Sequence, residues 1–237
     1  MTTNGPGDDA AAVESTVTWR EQAVARSLSS ARTRAEIRVQ RFLDAALEIM
    51  GEGDTTEFTV QEVVERSGQS LRSFYQYFGG KHELLLALFE ESIRATADRL
   101  RDEVATEDDP QERLHRFVVE YYRMCRPARK ARAATSAPAP VMVEFAQRLL
   151  TAHPAEAARA FVPLVALFRE ILAAAVATGA VRAGLREEPV AGTVLQMIMF
   201  NAFASTISGT RVARDGAAAA EELWELVLHG LGPDAAP

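Results

Sequence analysis

The segment from residue 70 to residue 81 carries side chains that can hydrogen-bond to nucleic acid. Arg72 suits the O6 and N7 atoms of guanine in the major groove, and Gln76 suits adenine, although either can instead contact phosphate alone. Groups that suit phosphate oxygens are carried by Ser73, Tyr75, Tyr77 and Lys81. The chemistry that these residue types favour is the reading of a DNA sequence rather than catalysis.

A short helix must present these side chains, and the preceding residues predict one. Thr59 followed three residues later by Glu62 is a capping box, which starts a helix. Gly68 permits a tight turn, and Ser70 is a good N-cap for a next helix that reaches about Gln76. Two helices joined by such a turn can place the second one in the major groove, although the same shape also occurs in proteins that bind no DNA.

The core side of this second helix is predicted to contain Phe74 and Phe78, which leaves Leu71 outward with the polar residues. Thr59 brings free backbone N–H groups that can hold a phosphate. Lys81 begins the following helix, where a cation is unfavourable against the helix dipole unless a phosphate lies nearby. The predicted DNA contacts are Thr59, Ser70, Leu71, Arg72, Ser73, Tyr75, Gln76, Tyr77 and Lys81.

The rest of the chain shows helical periodicity and no alternation typical of strands, which predicts an all-α fold. Three helices form an N-terminal helix–turn–helix domain, and the later ones form a second helical domain. A longer helix is predicted at 35–50. It is preceded by a short helix at 17–28 and a flexible basic joint at 29–34. The predicted divisions are a flexible, partly basic extension at 1–33, the helix–turn–helix DNA-binding domain at 34–80, a second helical domain at 81–232 and a disordered tail at 233–237.

Residues 35–89 resemble the DNA-binding domain of the tetracycline-repressor (TetR) family of bacterial transcription regulators. The matching positions are Thr59, Ser67-Gly68, Ser70, Ser73, Phe74-Tyr75, Phe78-Gly79-Gly80-Lys81 and Leu84-Leu85. Gln69 departs from the pattern, because the family usually has an apolar residue there. The resemblance implies a homodimeric repressor that leaves a pseudo-palindromic operator when a largely hydrophobic small molecule binds. It also implies that residues 81–232 are a helical effector-binding and dimerisation domain.

The effector half contains apolar residues that suit an adaptable cavity. They are Phe117, Tyr121, Met124, Phe145, Phe161, Val165, Phe168, Met197 and Phe200. An acyl chain, a sterol-like compound or a drug would fit such a lining, and packed core is the alternative for each residue. The basic segment with Arg126, Arg129, Lys130 and Arg132 is either a site for an anionic head group or a hydrated loop.

The last two predicted helices, near 188–209 and 217–229, would pair with their copies in a dimer if the resemblance holds. The predicted interface residues are Asn201, Ala204, Ser208 and Trp224, and intramolecular core is again the alternative. Six N-terminal arginines have two interpretations, an arm that contacts DNA or a solvated segment. They are Arg20, Arg26, Arg32, Arg34, Arg38 and Arg41.

Composition and residue spacing exclude several other kinds of protein and site. The net charge of −7 argues against a nonspecific nucleic-acid coat. A single cysteine, Cys125, excludes an intramolecular disulfide and a cysteine-based zinc site. His115 and His153 lie on different segments without a His-x-x-x-His pair, so no metal, cofactor or catalytic residue is predicted.

The predicted location is the cytoplasm, because the N-terminus lacks the pattern of a signal peptide. No apolar stretch free of charge or proline reaches the roughly 18 to 20 residues of a spanning helix, so no membrane partner is expected. The predicted protein is a regulator and not an enzyme. The alternatives are an all-helical protein that binds or transforms an acyl compound without binding DNA, and a DNA-binding regulator that has no ligand.

Overall fold

The computed structural model describes residues 18–53, 57–126, 140–207 and 216–231, and within these ranges the chain is helical. Side chains are described for all of these residues except those at 140–144, 203–207 and a few range ends. The helices are α1 Trp19–Gly53, α2 Val60–Ser67, α3 Leu71–Tyr77, α4 Lys81–Val104, α5 Pro110–Cys125, α6 Pro140–Ala152, α7 Pro154–Ala177, α8 Glu187–Ile207 and α9 Gly216–Leu231. This confirms the all-α class with an N-terminal helix–turn–helix. The predicted N-terminal disorder, most of the basic loop and the C-terminal tail lie outside the described residues.

The first unit, residues 1–41, contains the N-terminal part of α1. The predicted joint at 29–34 is wrong, because these residues are helical. The segment contains no glycine or proline, and Arg32 pairs with Glu36 at 2.7 Å while Arg34 Nε donates to the carbonyl of Ser30. Such contacts one turn apart favour continued helix. The six N-terminal arginines are all exposed.

The second unit begins at Phe42 and contains the helix–turn–helix. The capping box is confirmed, since Thr59 Oγ1 accepts from the Glu62 N–H at 3.2 Å and Glu62 Oε2 accepts from the Thr59 N–H at 2.6 Å. Gly68 has φ of 63°, the left-handed conformation that ends α2 at low steric cost. Ser70 Oγ accepts from the Ser73 N–H at 3.1 Å, as predicted for the N-cap of α3.

The remaining helices of this unit pack around α5 and α7. α4 packs on α5, α6 and α7, and α5 also packs on α8 and α9. α7 is long and apolar enough to cross a membrane by length and composition. The expectation concerned a stretch free of charge and proline, and α7 does not contradict it. It contains Pro163 and two arginines, and it contacts α4, α5, α6 and α8, as a core helix does.

Candidate nucleic-acid interface

The recognition helix α3 is fixed by aromatic side chains beneath it. Phe74 is fully buried, with its ring centroid 5.4 Å from that of Phe42 and 5.3 Å from that of Phe78. Phe42 and Phe78 also meet edge to face at 6.1 Å. A helix of seven residues has little stability alone, so this aromatic cluster of Phe42, Phe74 and Phe78 sets its position.

The opposite face of α3 is open to solvent. Arg72 and Gln76 are exposed, Tyr75 is 57% exposed and Leu71 is 44% exposed. The Tyr75 ring leans edge-on against Phe74 at 5.4 Å, which supports it from one side. The fold therefore brings four of the predicted DNA contacts together on one accessible surface.

Two further predicted contacts lie at the edge of this surface. Tyr77 is half-buried, and Ser70 is exposed with its oxygen engaged as the N-cap of α3. The Ser70 hydroxyl hydrogen is still available, because an N-cap oxygen accepts and does not donate. Both residues can therefore still donate a hydrogen bond to phosphate.

The environment of Ser73 does not favour the predicted phosphate contact. Its Oγ is buried and has no hydrogen-bond partner among the described residues, so it does not reach a phosphate on the surface. Ser73 sits at the rim of α3 beside Phe74, where the side chain turns toward the fold. Periodicity over seven residues does not separate a rim position from an outward one.

Both donors of Thr59 itself are taken by Glu62, while the prediction that free backbone N–H groups at the start of α2 hold a phosphate stays a prediction. The Thr59 N–H and hydroxyl donate to Glu62 Oε2 at 2.6 and 2.8 Å. The hydrogen bond from the Thr59 N–H, and after it the one from the hydroxyl, lower the pKa of the Glu62 carboxyl. The carboxylate therefore stays charged, and it would repel a nearby phosphate. The capping box therefore stabilises α2 and leaves Thr59 no free donor.

The basic residues next to α3 have different environments. Lys81 is half-buried with its ammonium 4.6 Å from the ring centroid of Phe58, a cation–π contact that orients it at the start of α4. Arg66 is held by a fork of two 2.9 Å hydrogen bonds to the Glu52 carboxylate. Lys81 is thus the better phosphate ligand of the two.

In the effector half, the predicted pocket residues fall into two aromatic groups. The ring centroids of Phe117 and Phe168, both fully buried, lie 5.1 Å apart. The ring centroid of Tyr121 lies 5.9 Å from that of Phe117. Phe145 and Phe161 instead gather around Phe89, at 6.0 and 5.5 Å. Sequence reasoning missed Phe89, although it lies at helical spacing from Leu85.

The other predicted pocket residues differ in exposure. Met124, Val165 and Met197 are half-buried. Phe200 is 42% exposed, which is wrong for the wall of an enclosed pocket in one chain. Large apolar side chains on an outer surface are more typical of an interface.

The predicted interface residues are only partly placed. Asn201 is exposed, and the side chains of Ala204 and Ser208 lie outside the described residues. Trp224 is 6% exposed and its ring lies 5.0 Å from His115 in the same chain, which favours the alternative of intramolecular core for it. Leu226, two residues after Trp224 on α9, is 61% exposed.

Comparison with known proteins agrees with this geometry. The family pattern described as "Bacterial regulatory proteins, tetR family" matches residues 42–88. The HTH-type transcriptional regulator BetI of Brucella anthropi is 26% identical over 98 residues, which are 41% of this chain and 50% of the relative. The chain thus spans about half the length of the curated relatives it matches.

Solved structures show the same fold over most of the chain. FadR of Thermus thermophilus, a TetR-family repressor in complex with lauroyl-CoA, has a TM-score of 0.62 and 22% identity, covering 84% of this chain and 97% of that one. RolR in complex with resorcinol has a TM-score of 0.63 and 17% identity, covering 86% and 92%.

Proposed function

The chain carries the DNA-binding domain of the tetR family of bacterial regulatory proteins, and from this premise we propose that it is a homodimeric transcription repressor that a hydrophobic small molecule releases from its operator. The observation that carries the proposal is the exposed face of α3, which the aromatic cluster supports from beneath. It acts in the cytoplasm by binding and not by catalysis.

The contacts divide into reading and positioning. Arg72 and Gln76 read base edges, and Leu71 offers an apolar group that suits a thymine methyl. Tyr75, Tyr77, Ser70 and Lys81 donate to phosphate oxygens and fix the register of the helix. Reading is therefore concentrated on two exposed side chains of α3.

A dimer explains how so short a helix reaches useful affinity. Two copies of α3 about 34 to 36 Å apart enter successive major grooves of a pseudo-palindrome. The exposed Phe200 on α8 and Leu226 on α9 supply the apolar surface for such pairing. This replaces Trp224 as the anchor while keeping Asn201 at the same surface.

The effector is a largely hydrophobic molecule that separates or moves the packed aromatic groups of the C-terminal half. The half-buried Met124, Phe161, Val165 and Met197 are the residues that we expect a ligand to displace first. The relatives bind a fatty acyl thioester in one structure and a small phenol in another. Thermal-shift measurements with lauroyl-CoA and resorcinol as probes test these two ligand classes.

The DNA-binding proposal is tested by selecting bound genomic fragments and measuring their affinity by fluorescence anisotropy. Arg72→Ala should cost about 1–3 kcal/mol and relax the preference at one base position. The matched control is Arg101→Ala, which removes the same charge from an exposed site on α4. Failure of the wild-type chain to select any sequence would favour the helical acyl-binding protein instead.

A further inference from the structure

Three potential metal ligands meet where α4 and α7 begin. His82 is the second residue of α4, His153 directly precedes α7, and Glu156 lies in the first turn of α7. Their ligand atoms all lie within 4.8 Å of one another. His82 Nε2 is 2.7 Å from Glu156 Oε2, His153 Nδ1 is 3.9 Å from Glu156 Oε1, and the two imidazole centroids are 4.7 Å apart.

The types and exposure of these groups suit a transition metal. Imidazole nitrogen and carboxylate oxygen bind Zn²⁺ at about 2.0–2.2 Å, so tetrahedral ligands stand about 3.3 Å apart. Side-chain shifts of about 1 Å would therefore close the cluster around an ion. The side chains can shift this far because those of His82, His153 and Glu156 are 43%, 47% and 28% exposed. Arg159 lies near Glu156, and its positive charge repels a bound cation. The negative charge of the Glu156 carboxylate offsets this repulsion.

We propose that His82, His153 and Glu156 form a site for a divalent transition-metal ion such as Zn²⁺, which ties α4 to α7 and leaves a fourth position for solvent or another ligand. The sequence expectation of no metal site rested on spacing along the chain. His82 and Glu156 are 74 positions apart, so only the packing of α4 on α7 brings them together.

The site is tested on the full-length chain without a histidine tag. Titration with Co²⁺ should give one ion per chain with the intense visible absorption of four-coordinate cobalt, and Zn²⁺ should displace it. Mg²⁺, which prefers six oxygen ligands, should not compete. Absence of Co²⁺ and Zn²⁺ binding would overturn the proposal and leave a hydrogen-bonded His–Glu pair.

Variants identify the ligands. His82→Gln, His153→Asn and Glu156→Gln should each weaken Zn²⁺ binding by about 10–100-fold or more, since even outer-shell losses have effects of that size. The matched control is His115→Asn, because His115 also lies near two carboxylates, with Glu221 at 2.7 Å and Glu112 at 3.7 Å. Zn²⁺ should raise the melting temperature of the wild type and the control but not of His153→Asn. Equal affinity in all four variants would also overturn the assignment.

The position of the site gives it a regulatory consequence, which rests on the proposed function. His82 follows Lys81, a proposed phosphate contact, while Glu156 belongs to the effector half. Operator affinity should change about fivefold or more between zero and saturating Zn²⁺ in the wild type and not in His153→Asn. Unchanged affinity would remove this consequence alone, because the metal titrations contain no DNA.

Discussion

The phenyl rings of Phe42 and Phe74 meet edge to face with their centroids 5.4 Å apart and their planes at 88°. Phe42 comes from α1 and Phe74 from α3, so this contact joins the recognition helix to the first helix of its domain. The ring of its neighbour Tyr75 contacts Phe74 edge-on, yet Tyr75 remains 57% exposed. Of these two adjacent residues, Phe74 stabilises the fold and Tyr75 belongs to the exposed surface of α3.

Replacing Phe74 with alanine should lower the free energy of unfolding by about 3–5 kcal/mol, because it leaves a cavity under α3. Tyr75→Ala is the matched control and should change stability by less than about 1 kcal/mol while weakening DNA binding. Chemical denaturation and anisotropy measure the two effects. Equal loss of stability in both variants would contradict this division.

Thr59→Ala should destabilise the chain by about 1 kcal/mol at neutral pH, through loss of the N-cap of α2. Thr59→Ser keeps the hydroxyl and should retain most of the stability. The folded pKa of Glu62 is lowered by its hydrogen bonds from Thr59, so its contribution is present above the unfolded pKa and is lost as pH falls through the folded value. Denaturant titrations should therefore show the difference between wild type and Thr59→Ala shrinking below about pH 4.

Lys81→Ala should weaken binding to all DNA sequences about equally and reduce the slope of log affinity against log salt by about 1. A phosphate contact contributes through counterion release and carries no sequence preference. Anisotropy titrations at several salt concentrations give the slope. The comparison is Arg72→Ala, which should alter sequence preference, and a sequence-dependent effect of Lys81→Ala would reverse the assigned role.

Cys125 should be unreactive in the native chain. Burial raises the pKa of its thiol to about 12, and Tyr121 beside it is buried as well. The folded chain favours the neutral Cys125 thiol. The contribution of this thiol to stability is therefore fully present below its unfolded pKa and falls as pH rises from there toward 12. A chromogenic disulfide reagent at pH 8 should label no thiol in native protein and one in denaturant, and rapid native labelling would show that this core opens.

The local parts of this fold were predictable because short-range chemistry determines them. The capping box at Thr59, the left-handed turn at Gly68 and the inward Phe74 depend on residues within a few positions. The burial of Trp224 against His115 could not be predicted, because these residues lie 109 positions apart and meet only in the folded chain. The approach of His82 to Glu156 across two distant helices has the same origin.

The outer surfaces of α8 and α9 supply the last prediction, on self-association. Phe200→Glu and Leu226→Glu should each convert the dimer to a monomer, because a charge in an apolar interface is costly to desolvate. Val162→Glu is the matched control, since Val162 is 59% exposed on α7, outside the proposed interface. Sedimentation velocity measures the mass of each variant. If Val162→Glu separates the protomers while the other two leave them paired, α7 and not the α8–α9 surface forms the contact, and the two copies of α3 must be spaced differently on DNA.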